Sequence, residues 1–208
     1  MTASHLLRTM VEDEQQDFAA LLRGLTTEQW TAPSLCQGWS VRDVVIHIAN
    51  HSHTTTRNRI GQLARARFST ARQMDVYRDR STAELVDWLS SPAQLGGPVN
   101  IRTQLSELVI HQQDVRRPLR ISRQIPADRL SVLLDFALTR IGSASVAFSR
   151  RRTKGLRLVA TDIGWSAGTG PEVCGPGEAI FMAANGRADA VADLAGDGRE
   201  LLARRLGR

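Results

Sequence analysis

Cysteine is scarce in this chain of 208 residues, with only Cys36 and Cys174 present, far apart and in no Cys-x-x-Cys pair. That excludes a disulfide scaffold or a thiolate zinc site and leaves each as an inert residue or a single reactive thiol, the inert role being the ordinary one. Aromatic residues are few as well, with one Tyr, five Phe and four Trp, so there is little surface on which nucleobases could stack. Lysine is almost missing. Lys154 is the one example, and the net charge of +6 is carried by arginines scattered among acidic residues, clustering only at Arg150-Arg151-Arg152. No nucleic-acid signature accompanies them, and the basic balance reads as a preference for arginine with some attraction for small anions. No apolar run reaches the roughly 18–20 residues of a membrane span. Glu12, Asp13 and Glu14 near the start are unlike a secretory signal, so a cytoplasmic protein is expected. Internal repeats and low-complexity tails are missing, and Gly168-Thr169-Gly170 is not followed by a helix in the manner of a nucleotide loop.

What is present is helical periodicity, in a chain whose 42% hydrophobic content can build a sizeable core. Leu7, Met10, Val11, Phe18, Leu21, Leu22 and Leu25 predict an amphipathic helix over residues 4–25. Residues 30–39, with Pro33, Gly38 and a tryptophan at each end, predict a connecting loop. Ser40 and Asp43 form an approximate capping box for a second helix running toward Ala66. Residues 67–80 read as a weakly structured connection, and Ser81 and Glu84 as a capping box for a short helix with Leu85, Trp88 and Leu89 on its apolar side. A further helix is expected from Asn100 to Arg117, before Pro118, and another from Pro126 to Phe148. Residues 1–150 are thus expected to be a helical bundle. Beyond Arg150 the texture changes to a strand over residues 156–160, a glycine-rich stretch, a partner strand over 172–174 and helices over 177–184 and 199–206, a small α+β domain spanning 151–208.

Two helices turn polar groups inward. Successive helical residues advance about 100°; with Leu105 at zero, Glu107 falls near 200° and His111 near 240°, flanked by Ile110, Val115 and Leu108, with Arg102, Ser106 and Gln113 on the more solvent-like arc. A carboxylate and an imidazole therefore sit within an apolar surface, where an ionised group needs donors, a cation or a metal ion to offset burial. Mutual hydrogen bonding of Glu107 and His111 is the plain alternative. On the second helix His47 and His51 border the buried face in the same way, while His53 points off it to the surface. One of these histidines with Glu107 and His111 makes a two-His, one-carboxylate set that leaves a coordination position open. Spacing does not choose between His47 and His51.

The run from Trp30 to Ala49, with Leu35-Cys36, Gly38-Trp39-Ser40-Val41, Asp43-Val44-Val45 and His47-Ile48-Ala49, is followed by Ser106-Glu107-Leu108-Val109-Ile110-His111-Gln112-Gln113-Asp114. Together with Trp165-Ser166, Gly168, Gly170-Pro171 and Asn185-Gly186-Arg187, these stretches resemble the mycothiol-dependent maleylpyruvate isomerase family of the DinB-like superfamily. The resemblance covers nearly the whole chain and implies a mainly α fold, a DinB-like four-helix bundle with a small C-terminal α+β domain. It also implies a divalent metal, zinc, held by His47, Glu107 and His111, and an active-site arginine from the C-terminal domain, for which Arg187 is the match.

The function so implied is that of a mycothiol-dependent enzyme, a thiol S-transferase or a cis–trans isomerase. A metal with an open position lowers the pKa of a small thiol, whose thiolate adds to an electrophilic, carboxylated substrate. Arg116, Arg117 and Arg187 are candidates for meeting the thiol or the carboxylates, with Arg117 the more ordinary surface charge, and Asp114 for orienting a ligand histidine or capping a helix. The chain is more compact than the best-known isomerases between the second helix and Asn100 and in the tail, which leaves the electrophile open. The oligomeric state is open too, a homodimer among the options. The rival readings are a non-catalytic metal- or ligand-binding protein of the same fold and a basic nucleic-acid-associated protein.

Overall fold

The computed structural model describes residues 2–53, 75, 77–95, 98–138 and 144–207. It divides into two compact units, residues 1–122 and 123–208.

In the first unit, helix α1 (Ala3–Arg23) buries Leu7, Met10, Val11, Glu14, Gln15, Phe18, Ala19 and Leu22, a stripe that recurs every three or four residues. A short α2 (Thr27–Thr31) lies between the first expected helix and the expected loop, overlapping that loop only at Trp30 and Thr31. Helix α3 (Val41–His53) starts at the expected box: Ser40 Oγ accepts from the Asp43 amide at 3.2 Å, and Asp43 Oδ2 accepts from the Ser40 amide at 3.0 Å. The expected continuation toward Ala66, and most of the connection over 67–80, lie outside the described residues. Helix α4 (Thr82–Ser90) carries the Ser81–Glu84 box with both reciprocal bonds formed. Its C-terminal end is closed from α1, where Gln15 Nε2 donates to Leu89 O at 2.8 Å and Ser91 O at 3.2 Å, carbonyls the helix itself leaves unpaired. Helix α5 (Pro98–Arg116) begins two residues earlier than expected, since Pro is accepted in a first turn. Helices α1, α5, α3 and α4 pack in that cyclic order, each against the next and α4 back on α1, giving a four-helix bundle.

Two expectations for this unit need correction. The arc of α5 assigned to solvent is not solvent-facing: Ser106 and Gln113 are buried and Arg102 is half-buried, because α5 is held between α1 and α3 and presents no broad free side. His53 is not a bare surface residue either. Its ring stacks on Trp88 at 5.9 Å and its Nε2 lies 3.3 Å from Ser91 Oγ.

In the second unit the helix expected over 126–148 is described as α6 (Ala127–Leu138) and α7 (Ala144–Thr153), with the span between them outside the described residues. Strand β1 (Arg157–Ala160) lies between β2 (Trp165–Gly168), antiparallel to it, and β3 (Glu172–Gly175), parallel to it. Strand β2 occupies the stretch expected only to be glycine-rich. Gly168 is required there: its φ is +82°, and a Cβ would stand 2.2 Å from Leu156 O. Helix α8 (Gly177–Ala184) is buried on all sides and packs on β1, β3, α6 and α7. A 3-10 turn (Ala188–Asp193) and α9 (Arg199–Arg205) complete the unit. The boundary expected at residue 150 therefore differs from the division observed at 122, because the apolar sides of α6 and α7 are satisfied by α8. Among the described residues no helix is long and apolar enough to cross a membrane.

Candidate metal centre

The site lies on the facing sides of α3 and α5. Their cross-helix pairs run in opposite order along the chain, His51 with Gln104 and His47 with His111, so the two helices are antiparallel. Gln104, Glu107, His111 and Asp114 are spaced by three, four and three residues, the interval that keeps side chains on one seam of a helix. An apolar seam would have served packing alone; this one is polar along its length.

One ligand atom from each of His47, Glu107 and His111 falls within 4.8 Å of the others. The His47 and His111 rings meet edge to face with centroids 4.9 Å apart, and His111 Nε2 is 3.4 Å from Glu107 Oε2. A tetrahedral cation with bonds of about 2.1 Å spaces its donors about 3.4 Å apart, and two imidazoles with one carboxylate form a donor set of the kind that leaves a fourth position open. The residues therefore fit a divalent ion. His51, one turn further along α3, stands outside the set, its ring centroid 6.3 Å from that of His47.

The other nitrogen of His111 is also engaged. Nδ1 lies 2.9 Å from Oδ2 of Asp114, a carboxylate with no solvent exposure. The same Oδ2 accepts from the thiol of Cys36 at 3.1 Å, and Cys36 Sγ is 3.7 Å from His111 Nδ1. The loop before α3 delivers that thiol. Leu35 N donates to Asp114 O at 3.0 Å, Ser34 Oγ accepts from the Cys36 amide at 3.2 Å, and the tight turn closed by the 2.9 Å bond from Trp39 N to Cys36 O places Gly38 at φ +78°. Trp39 then lies beside the site, its ring 5.1 Å from that of His47.

Electrostatics follow from this crowding. Burial alone pushes the Glu107 carboxyl up, but the hydrogen bond and charge of His111, with the charges of His51 and His47, outweigh it and pull it down to about 2. Burial pushes His111 down, yet its bonds to Asp114, Cys36 and Glu107 and the charge of Asp114 raise it well above 6.5. A proton on Nε2, facing Glu107, occupies the place a cation would take. Glu107 is not sealed in an apolar wall as the sequence suggested: its side chain is 20% exposed, and His47, His51, Cys36 and Trp39 are half-buried, so the cluster opens to solvent on this side.

The remaining candidates are not among these ligand atoms. Arg116 falls near 20° on the α5 wheel, on the opposite face from the seam. Arg117 follows the last residue of α5 and is half-buried. Arg187 belongs to the second unit, where it precedes the 3-10 turn and its Nη1 donates to Asn185 O at 3.0 Å. Sequence reasoning missed two participants, Cys36 and Gln104. The three- and four-residue spacing that puts Glu107, His111 and Asp114 on one seam also holds Gln104, whereas Cys36 carries no local signal because its partner is 78 residues away.

Residues 11–95 match the family model described as the mycothiol maleylpyruvate isomerase N-terminal domain. Two solved structures share the fold across the chain. A crystal structure of the mycothiol-dependent maleylpyruvate isomerase in a histidine-to-alanine mutant form is 12% identical with a TM-score of 0.58, and a second crystal structure of that isomerase is 14% identical with a TM-score of 0.55. Each comparison covers 95% of this chain and 96% of the other. A comparison with curated proteins finds no match.

Proposed function

We propose, from the match of residues 11–95 to the mycothiol maleylpyruvate isomerase N-terminal domain model, that the chain is a mycothiol-dependent enzyme that uses a divalent metal, zinc, held by His47, Glu107 and His111. The observation that carries this reading is the convergence of three donors from α3 and α5 within 4.8 Å. It is supported by a buried carboxylate on the far nitrogen of His111, the arrangement that fixes tautomer and ring orientation in metal-ligating histidines.

The bound ion would supply a Lewis acid that lowers the pKa of a thiol at its open position. The protein's own groups have separate tasks. Glu107 stays ionised and offers its carboxylate. Asp114 accepts the Nδ1 hydrogen of His111, which directs the Nε2 lone pair to the cluster. The Trp39 indole walls one side of His47. The thiolate sulfur would add to a carbon–carbon double bond of a small, carboxylated substrate, the π pair moving onto the conjugated carbonyl as an enolate; protonation of the enolate carbon by solvent keeps the C–S bond and gives the S-conjugate, whereas rotation about the new single bond and expulsion of the thiolate restores the double bond in the other geometry. An arginine is the expected partner of the substrate carboxylate, for which a guanidinium fork is suited.

The test is metal content and thiol conjugation in the purified chain. Wild type is expected to hold about one zinc per chain and to consume mycothiol with a maleylpyruvate-like electrophile. His47→Ala, Glu107→Ala and His111→Ala are expected to lose both. Equal metal content in wild type and variants removes the site assignment; full metal occupancy with no thiol chemistry across an electrophile panel leaves a binding protein in place of the enzyme.

A further inference from the structure

We infer that Cys36, His111 and Asp114 form a second metal seat, which takes a cation softer than zinc, such as cadmium or copper(I), and cannot be filled together with the set of His47, Glu107 and His111. The seat stands on its own donors; only the competition rests on the zinc reading above.

The geometry is complete for three ligands. One ligand atom from each residue lies within 4.8 Å of the others, and every pair is closer than that, with Sγ to Oδ2 at 3.1 Å, Sγ to Nδ1 at 3.7 Å and Nδ1 to Oδ2 at 2.9 Å. A tetrahedral ion with a thiolate at about 2.3 Å, an imidazole at about 2.1 Å and a carboxylate at about 2.0 Å spaces those pairs by about 3.3–3.6 Å. Two of the three edges therefore open by about 0.4 Å for an ion of zinc's size, and somewhat more for cadmium. Cys36 is half-buried on the loop before α3, which gives the ion a path from solvent.

The donors select the ion. A thiolate favours soft cations, whereas the set of two imidazoles and one carboxylate contains no sulfur. As the metal–sulfur bond forms, the thiol hydrogen leaves to solvent as a proton. The thiolate and the Asp114 carboxylate, which has no solvent exposure, then balance a divalent ion, so the seat is buried without net charge.

His111 makes the two seats exclusive, because a neutral imidazole offers one lone pair for coordination. An ion on Nε2 leaves the hydrogen on Nδ1, 2.9 Å from Asp114 Oδ2. An ion on Nδ1 leaves it on Nε2, 3.4 Å from Glu107 Oε2. In each case the carboxylate on the far side accepts that hydrogen and orients the ring, the arrangement that backs metal-ligating histidines. A soft ion on the Cys36 side thus takes His111 out of the zinc set and leaves that set two donors.

The test titrates the full metal-free chain with cadmium and reads the thiolate-to-metal charge-transfer absorption. We expect about one equivalent to bring up the band in wild type and in His47→Ala, which keeps all three donors of the second seat, and no band in Cys36→Ser. Zinc content of Cys36→Ser, expected at the wild-type level, reports that the variant is folded with its other set intact. Cadmium added to zinc-loaded wild type should displace zinc, holding the total at about one ion per chain. Cadmium that fails to bind wild type or binds without the band overturns the proposal, as does a band that persists in Cys36→Ser or is lost in His47→Ala. Two ions per chain overturn the exclusion. A wild type that takes up cadmium with the band but takes up no zinc overturns the zinc reading and leaves the seat standing.

Discussion

Asp114 Oδ2 and His111 Nδ1 lie 2.9 Å apart with the carboxylate wholly buried, so one side chain decides which nitrogen of the imidazole carries hydrogen. An amide at 114 can turn its NH2 group toward Nδ1, which would move the hydrogen to Nε2 and set it against the metal. Asp114→Asn is therefore expected to lower zinc affinity about 10–100-fold, the usual effect of losing the group behind a ligating histidine. Cys36→Ala removes one donor to that carboxylate and the 3.7 Å contact to His111 Nδ1 while leaving the carboxylate in place, and should cost clearly less. Competition titration against a chromogenic chelator measures both, and equal affinity in wild type and Asp114→Asn would show that the contact orients nothing.

The same contacts make metal uptake a proton exchange. His111 is raised well above 6.5 by its carboxylate neighbours, so at neutral pH the metal-free ring holds its second proton and a cation must displace it. Uptake at pH 7 is expected to release about one proton per ion, read as the dependence of calorimetric heat on buffer ionisation enthalpy. Affinity should fall as pH falls, with Glu107 contributing no step above about pH 3 because its carboxyl is held down to about 2. In the metal-free chain the stability signs are opposite. The raised His111 contributes stability that is full below its ordinary 6.5 and lost as pH rises through its folded value. The depressed Glu107 contributes stability present above its ordinary 4.5 and lost as pH falls toward 2. Denaturation of metal-free protein across pH resolves the two arms.

The bundle was legible in the sequence where period and punctuation agreed. The α1 stripe, the Ser40–Asp43 and Ser81–Glu84 boxes and a strand over 156–160 all follow from local spacing, and the structure contains each, the strand as Arg157–Ala160. What periodicity could not supply is which apolar face meets which. Leu130, Leu133 and Leu134 predict a helix equally well whether it closes the bundle or packs on α8, so spacing alone leaves the division between the units open. At the site, Glu107, His111 and Asp114 declared themselves by sharing a seam, while Cys36 became visible only once the loop before α3 was seen against the end of α5. Spacing alone does not choose between His47 and His51, because both border the same face of α3; in the fold it is the His47 ring that meets His111, with centroids 4.9 Å apart.

The Ser81–Glu84 box offers a stability test that should leave the site untouched. Ser81 Oγ accepts from the Glu84 amide and Glu84 Oε2 accepts from the Ser81 amide, at the N-terminus of a helix that packs on both α1 and α3. Ser81→Ala is expected to cost about 1 kcal/mol in urea denaturation while zinc content stays at the wild-type level. A loss of zinc from this variant would mean that the metal site depends on α4.

A last prediction has the opposite sign. Gln112 has no solvent exposure, and both its Nε2 and Oε1 are buried without a hydrogen-bond partner. On the α5 wheel it falls near 340°, on the side of Leu105 and Leu108 and away from the polar seam at about 180–260°. Each unpaired amide group there forgoes hydrogen bonds that the unfolded chain makes with water, a penalty of about 1–3 kcal/mol per group. Methionine has nearly the same length and shape with no such demand. Gln112→Met is therefore expected to stabilise the chain by about 1–2 kcal/mol, after allowance for imperfect repacking, and to leave metal content unchanged. Urea denaturation decides it: a destabilised variant would show that the amide is held by bonds worth more than the apolar packing that replaces them.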